Sequence, residues 1–410
     1  MDIKLNKSQI KNNQEIIISG SKSETNRLLL LQALYPNLKI ENASNSDDSE
    51  VMKKALQSVN NSNEINVHHA GTAIRFLTSF YAIQEGSEVV ILGSDRMHER
   101  PIKILVDALN QLGSNILYLK EQGFPPIKII GKKIQNNKVL IDANVSSQYI
   151  TSLMLVGSSL VNGLKIQLIG TITSIPYIKM TLSVLQSLGI KAEFNNKTIS
   201  IPKTEKLTYD TFVVESDWSS ASYFYSLMAL SKIDTQITLG YFKQNSLQGD
   251  SVLAEIYQNF GIQTTFTDNK IILKKVENPS IKNINLDLNN APDIAQTIIV
   301  TCLGLGITCN LTGLHTLKIK ETDRLQALKN ELEKFGAEVS ISADSIQLNN
   351  SVELQNETIA IETYQDHRMA MAFAPLVLKQ SLVIKNANVV SKSYPNFWND
   401  LKLLNINLNN

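Results

Sequence analysis

At 410 residues, 43% apolar and 19% charged, the chain is long enough for two ordinary domains and too apolar to be disordered. A formal net charge of +1 argues against a general polyanion binder, so no nucleic-acid partner is expected. The longest apolar runs, such as Ile298 to Leu303, are far too short to span a bilayer, which argues against a membrane partner. The opening MDIKLNKSQI lacks the apolar core of a signal peptide, so a cytoplasmic location is expected. Cys302 and Cys309 have no metal-ligand spacing and read as small core residues.

Of the 39 basic residues only six are arginine: Arg27, Arg75, Arg96, Arg100, Arg324 and Arg368. A chain that uses lysine for its generic cations should keep arginine where a planar fork on phosphate or carboxylate has no substitute. The first element bears this out in pattern: Gly20-Ser-Lys-Ser-Glu-Thr-Asn-Arg27 runs into LLLLQAL, a turn followed by a helix. Ser21 or Ser23 can cap that helix, and its mouth favours an anion, with Lys22 and Arg27 adding charge. HHAGTAIRFL repeats the device with Gly71 and Arg75, and DRMHERP follows with Arg100. VSSQYITSLML puts Ser146, Ser147 and Gln148 before an apolar helix, and TSIPYIKMTL offers Ser174 and Tyr177. In the second half, NNAPDIAQT places Asp293 at a helix start, and KIKETDRL gathers Lys320, Glu321 and Arg324 within one turn. YQDHRMAM compresses Asp366, His367 and Arg368 before another apolar helix, and SKSYPNF sets Lys392 in a turn. Several anion-ready helix mouths, if they converge, describe a pocket for a multiply anionic small molecule.

Four segments share a plan of amphipathic helix, glycine and two short strands: LVDALNQLGSNILYL, TLSVLQSLGIKAEFNNKTISI, VLAEIYQNFGIQTTFTDNKIIL and LQALKNELEKFGAEVSISADSIQL. Their glycines, Gly113, Gly189, Gly261 and Gly336, recur at intervals of 76, 72 and 75 residues. Each should end its helix in the left-handed region. Asn195-Asn196 and Asp268-Asn269 suit hairpin turns. Degenerate copies, VMKKALQSVNNSNEINV and FWNDLKLLNINL, extend the series to six. Units of this size, roughly 70 residues, are too long for a solenoid and predict an α/β domain of three units, duplicated.

In collinear order from Gly20 to Phe397, the motifs GSKS…NR, AGTA.R, R..ERP, VSSQ, SASY, NS.QGD, KETDRL and DHRMAM resemble those of the 5-enolpyruvylshikimate-3-phosphate (EPSP) synthase family. The resemblance implies the α/β, two-domain enolpyruvyl transferase fold, with three βαβαββ repeats per domain in an inside-out α/β barrel. Residues 1–19 and 217–410 would form one discontinuous domain and 20–216 the other, with the active site in the cleft between them. It implies transfer of the enolpyruvyl group of phosphoenolpyruvate to the 5-hydroxyl of shikimate 3-phosphate, on the route to chorismate and aromatic amino acids. The enzyme is expected to be a monomer that needs no metal or other cofactor.

Carried over residue by residue, the resemblance makes Asp293, Glu321 and Lys22 catalytic. Shikimate 3-phosphate would be held by Lys22, Ser23, Arg27, Ser146, Ser147, Gln148, Ser174, Tyr177, Asp293, Thr316 and Lys320. Arg27 would address its carboxylate and Ser146, Ser147 and Ser174 its phosphate. Phosphoenolpyruvate would be held by Lys22, Gly71, Arg100, Gln148, Arg324, Arg368 and Lys392, and the inhibitor glyphosate would compete with it. The chain departs from the family pattern at His69, at Ile175, at Thr316, and at Phe76, where the family usually has proline. Phe76 is expected to shift the helix that carries Gly71. The sister family, UDP-N-acetylglucosamine enolpyruvyl transferase, has Lys-Asn where this chain has Lys22-Ser23, and is the alternative reading.

Overall fold

The computed structural model describes residues 1–57, 63–144, 147–172, 175–355 and 357–409. The chain forms two compact units, one made of residues 1–19 with 215–410 and the other of residues 20–214. The second boundary lies between Val214 and Glu215, just before Asp217, and hydrogen bonds on either side of it account for the place. Val214 N–H donates to the Glu41 carbonyl in the 20–214 unit. The Glu215 carboxylate instead accepts from the Trp218 indole at 2.8 Å, from Lys243 N–H at 3.0 Å and from the Ser246 hydroxyl at 2.7 Å.

Residues 283–348 show the complete repeat. Strand Asn283–Asp287 pairs in parallel with Thr308–Thr312, and helix Ala295–Leu305 makes the crossing. Helix Arg324–Glu333 then leads to the hairpin of Val339–Ile341 and Ile346–Leu348, whose second strand returns antiparallel to Thr308–Thr312. The same βαβαββ order recurs at Lys138–Asp142, Leu164–Ile169, Glu193–Asn195 and Thr198–Ile201, and again at Glu64–Asn66, Glu88–Leu92, Asn115–Tyr118 and Ile127–Ile130. All four pivot glycines have positive φ, from 77° to 106°, and so do the turn residues Asn196 and Asn269.

The remaining repeats borrow strands from elsewhere in the chain. Strand Gln14–Ile16 pairs in parallel with Gln236–Gly240, and Ile3–Asn6 lies antiparallel between Leu382–Ile384 and Asn407–Asn409. This pairing ties the N-terminal segment to the 215–410 region. In the other unit, Thr211–Val213 pairs in parallel with Lys39–Glu41. The degenerate first copy departs from the plan: among the described residues its helix, Asp47–Gln57, is followed by no hairpin, and Glu64–Asn66 already belongs to the next sheet.

In each unit three helices are buried against one another and the sheets cover them. Trp218–Leu230, Ala295–Leu305 and His367–Phe373 form one trio; Lys22–Leu34, Gly71–Ala82 and Ser147–Gly157 form the other. These helices bury nearly every face, and Lys22–Leu34 buries Glu24, Thr25, Asn26 and Arg27 along with its leucines. The sheets instead alternate, as in Leu164–Ile169, where every second residue is exposed. Hydrophobic residues of each trio and of its sheets make a separate core in each unit. Every N-terminus of these buried helices follows a strand end, which is where the polar motifs sit.

Candidate active site

In the 20–214 unit two of the buried helices have mouths that no capping side chain closes. Helix Lys22–Leu34 starts at Ser21 and helix Gly71–Ala82 at Ala70, and neither residue's side chain caps an N–H. The serine cap expected at the first helix is therefore absent: Ser21 contributes only its carbonyl, to Thr25 N–H. Lys22 Nζ lies 3.0 Å from Asp48, a partner the sequence reading missed although Asp47-Asp48 opens the next helix.

Arg27 is buried, and among the described residues no carboxylate stands within ion-pair distance of it. Its Nε donates to Thr181 Oγ1 at 2.8 Å and its Nη1 to the Ser23 carbonyl at 2.6 Å. Its guanidinium lies over two rings, Phe76 at 5.7 Å and Tyr177 at 6.0 Å from the centroids. Burial pushes the guanidinium down to about 10, against smaller opposing effects of Tyr177 and Glu24. Arg75 is in the same condition: burial, and then the nearby Arg100, bring it down to about 10. It donates to the carbonyls of Gly71 at 2.8 Å and Pro101 at 3.2 Å, so it ties the Gly71 helix mouth to the segment that carries Arg100. Arg100 packs directly on Gly71, where an added Cβ would meet Nη1 at 2.4 Å. Gln148 Nε2 donates to Thr72 Oγ1 at 3.2 Å, joining two helix mouths. Ser147 is buried beside them, while Ser146 and Ser174 lie outside the described residues.

In the 1–19 and 215–410 unit the arginines are paired. Arg324, with 2% of its side chain exposed, gathers three carboxylates: Asp366 at 2.6 Å from Nε, Asp293 at 2.8 Å from Nη1 and Glu321 at 2.9 Å from Nη2. Burial alone would lower its pKa; Asp366, Glu321 and Asp293 together outweigh that and hold it firmly protonated. Arg368 donates from Nη1 to the Asp293 carbonyl at 3.1 Å, and its Nη2 lies 3.5 Å from Asp293 Oδ2. Lys320 Nζ stands 3.7 Å from Asp293, and Lys392 Nζ donates to the Gln365 carbonyl at 2.9 Å. Thr316, half-buried in the turn His315–Ile319, has no hydrogen-bond partner for its hydroxyl among the described residues. Here aspartates close three helix starts: Asp217 accepts from Ser220 N–H, Asp323 from Leu325 and Gln326, and Asp366 from Arg368.

The structure thus gathers Asp293 and Glu321 on the Arg324 guanidinium, with Lys320 and Arg368 beside Asp293. It gathers Arg27, Ser23 and Tyr177 as one group in the other unit, with Gly71, Arg100 and Gln148 as a second. Arg96 does not join them; it is exposed and pairs with Glu99 at 2.5 Å, an ordinary surface bridge that lysine could make. Phe76 lies within helix Gly71–Ala82, and its ring stands 5.7 Å from the Arg27 guanidinium.

A family model described as EPSP synthase (3-phosphoshikimate 1-carboxyvinyltransferase) matches residues 38–401. The chain belongs to the EPSP synthase family. A relative from Bacteroides fragilis named 3-phosphoshikimate 1-carboxyvinyltransferase is 41% identical over 398 residues, which is 96% of this chain and 95% of that one. One of the same name from Actinobacillus pleuropneumoniae is 34% identical over 420 residues, covering 95% and 96%. The EPSP synthase structure from Acinetobacter baumannii superposes with a TM-score of 0.81 over all of both chains at 19% identity, a likeness of fold. That fold is the two-domain enolpyruvyl transferase fold, built here from open sheets around buried helices. Among the described residues no helix is long and apolar enough to cross a membrane.

Proposed function

We propose that this chain is a 3-phosphoshikimate 1-carboxyvinyltransferase: it transfers the enolpyruvyl group of phosphoenolpyruvate to the 5-hydroxyl of shikimate 3-phosphate and releases phosphate. The observation that carries the reading is Arg324, whose guanidinium contacts both carboxylates assigned to proton transfer, Asp293 and Glu321. C2 of phosphoenolpyruvate is a poor electrophile until C3 is protonated. Glu321 gives that proton while Asp293 takes the one on the attacking hydroxyl, which produces a tetrahedral ketal phosphate. Return of the C3 proton to Glu321 then expels phosphate, with Lys22 supplying charge or a proton to it. Each positioned acid or base contributes roughly 10²–10⁴-fold.

Arg324 also explains how a carboxylate held by a guanidinium can act as an acid. When an anionic substrate draws the guanidinium to itself, Glu321 loses part of its cationic support and its proton affinity rises. In the other unit, Arg27 without a carboxylate fits a role on the substrate carboxylate, and Ser146, Ser147 and Ser174 the phosphate. Lys22, Ser23, Gln148, Tyr177, Asp293, Thr316 and Lys320 complete the shikimate 3-phosphate set. Lys22, Gly71, Arg100, Gln148, Arg324, Arg368 and Lys392 take phosphoenolpyruvate, so both units must contribute to one reaction. The reading includes a cytoplasmic monomer, with the chain crossing from one domain to the other near Gly20 and near Asp217.

A coupled assay for phosphate release tests it. Release that requires shikimate 3-phosphate and phosphoenolpyruvate together supports the proposal. Release only with UDP-N-acetylglucosamine would assign the sister reaction, and no release with either acceptor would mean a binding protein.

A further inference from the structure

Two motifs, SASY and NS.QGD, have no part in the reaction described above, yet Ser219, the residue just before SASY, meets Asp250 of NS.QGD beside Arg368. Ser219, the second residue of helix Trp218–Leu230, is the one residue of that helix not buried. Its hydroxyl donates to Asp250 through a very short hydrogen bond and accepts from Arg368 Nη2 at 3.3 Å. Gln248 fixes the arrangement: its Oε1 accepts from Trp218 N–H at 3.0 Å, and its Nε2 donates to the Ser216 carbonyl at 2.9 Å. The short turn Gly249–Val252 that carries Asp250 is thereby held against the first turn of the helix.

We propose that Asp250 is a positioning residue for Arg368, acting through the Ser219 hydroxyl. A hydroxyl has one proton and two lone pairs. An ionised Asp250 can only accept, so it draws the Ser219 proton to itself and leaves a lone pair facing Arg368. A protonated Asp250 can donate to Ser219 instead, and the hydroxyl proton is then free to turn against the guanidinium. The groups acting on Asp250 are Asp293, Arg368, Asp217 and Ser219. Burial, and then Asp293, push its carboxyl up to about 7; Arg368 and Ser219 pull it down, and Asp217 adds a smaller upward push. The relay therefore changes state near neutral pH.

The inference rests on the proposed function, since it assigns Arg368 to phosphoenolpyruvate. Steady-state kinetics of the wild type and of Asp250→Asn, taken from pH 6 to pH 8.5, test it. The amide does not titrate and can donate to Ser219 at every pH, as the protonated acid can. At pH 8 the variant should have a KM for phosphoenolpyruvate about tenfold higher, the size of one hydrogen bond to a charged group, with the KM for shikimate 3-phosphate unchanged. The ratio of wild-type to variant kcat/KM for phosphoenolpyruvate should fall toward one by pH 6; taking the ratio cancels the titration of the substrate. Ser219→Ala should give the same KM, and adding Asp250→Asn to it should change nothing further. An active wild type with a ratio flat in pH, or with additive losses in the double variant, overturns this inference alone. An inactive wild type overturns the proposed function and this inference with it.

Discussion

Replacing Phe76 by leucine should raise the KM for shikimate 3-phosphate about fivefold and leave that for phosphoenolpyruvate within twofold. The reasoning starts from Arg27, a buried guanidinium whose place is fixed by two hydrogen bonds and by two aromatic rings. A cation over a ring is worth about 0.5–1 kcal/mol when exposed and about 2 kcal/mol when desolvated. Arg27 belongs at the desolvated end, and Phe76 supplies one of the two rings. Losing it should cost about 1 kcal/mol of positioning, which is roughly a factor of five. Leucine keeps the site apolar and nearly fills it, so the fold should lose no more than about 1.5 kcal/mol.

Initial rates with each substrate varied in turn decide the matter, with Arg27→Lys measured beside it. That variant loses a charge-assisted fork worth about 1.5–3 kcal/mol, and its loss should fall on the same substrate. Equal increases for both substrates would refute the reasoning, because a general loosening would then suffice. An increase confined to phosphoenolpyruvate would mean that residue 76 acts through the Gly71 helix mouth, as the sequence alone suggests.

Glu321→Gln should abolish turnover and leave the affinity for shikimate 3-phosphate nearly intact by calorimetric titration, because the amide still offers an oxygen to Arg324; near-normal turnover would remove Glu321 from the mechanism. Glyphosate should inhibit competitively against phosphoenolpyruvate, and Gly71→Ala should relieve it while raising the KM for phosphoenolpyruvate, since the added methyl would collide with the Arg100 guanidinium and displace it; inhibition unchanged by alanine would dissociate Gly71 from that site. Lys275, buried with Nζ donating to the Phe260 carbonyl at 2.6 Å, is lowered from 10.5 to about 8, first by burial and then by Lys379. Between those values the unfolded chain holds the proton and the folded one has released it, so this group should add stability as pH rises from 8 to 10.5. The measurement is the urea midpoint at pH 8 and pH 10 for the wild type and Lys275→Met; an equal pH dependence in both would count against it.

What could be seen in the sequence was local. A glycine at a helix end and an asparagine in a hairpin turn declare a left-handed backbone by themselves, and Gly113, Gly189, Gly261, Gly336, Asn196 and Asn269 all have it. Strand borrowing is not local. Nothing in IKLN at the start predicts that it will lie between Leu382–Ile384 and Asn407–Asn409. Motifs revealed which residues carry chemistry, and spacing could not reveal their partners: Phe76 was visible as an oddity, but the residue it serves is Arg27, on another helix. Asp250 was visible inside NS.QGD, and its link to Arg368 passes through a serine of a third segment.

The deepest feature hidden from the sequence is the opposite treatment of arginine in the two units. Arg27 and Arg75 are buried with carbonyls, a hydroxyl and rings for company, while Arg324 is buried against three carboxylates. A buried cation without a counter-charge is costly to the fold, and a bound anion recovers that cost as affinity. The paired arginine gains little from one more anion. What it can do is release a carboxylate when that anion arrives, and a released carboxylate is a base or, once protonated, an acid. In the reaction proposed, a buried cation awaiting an anion would hold a substrate, and a guanidinium shared among carboxylates would set the protonation of Asp293 and Glu321.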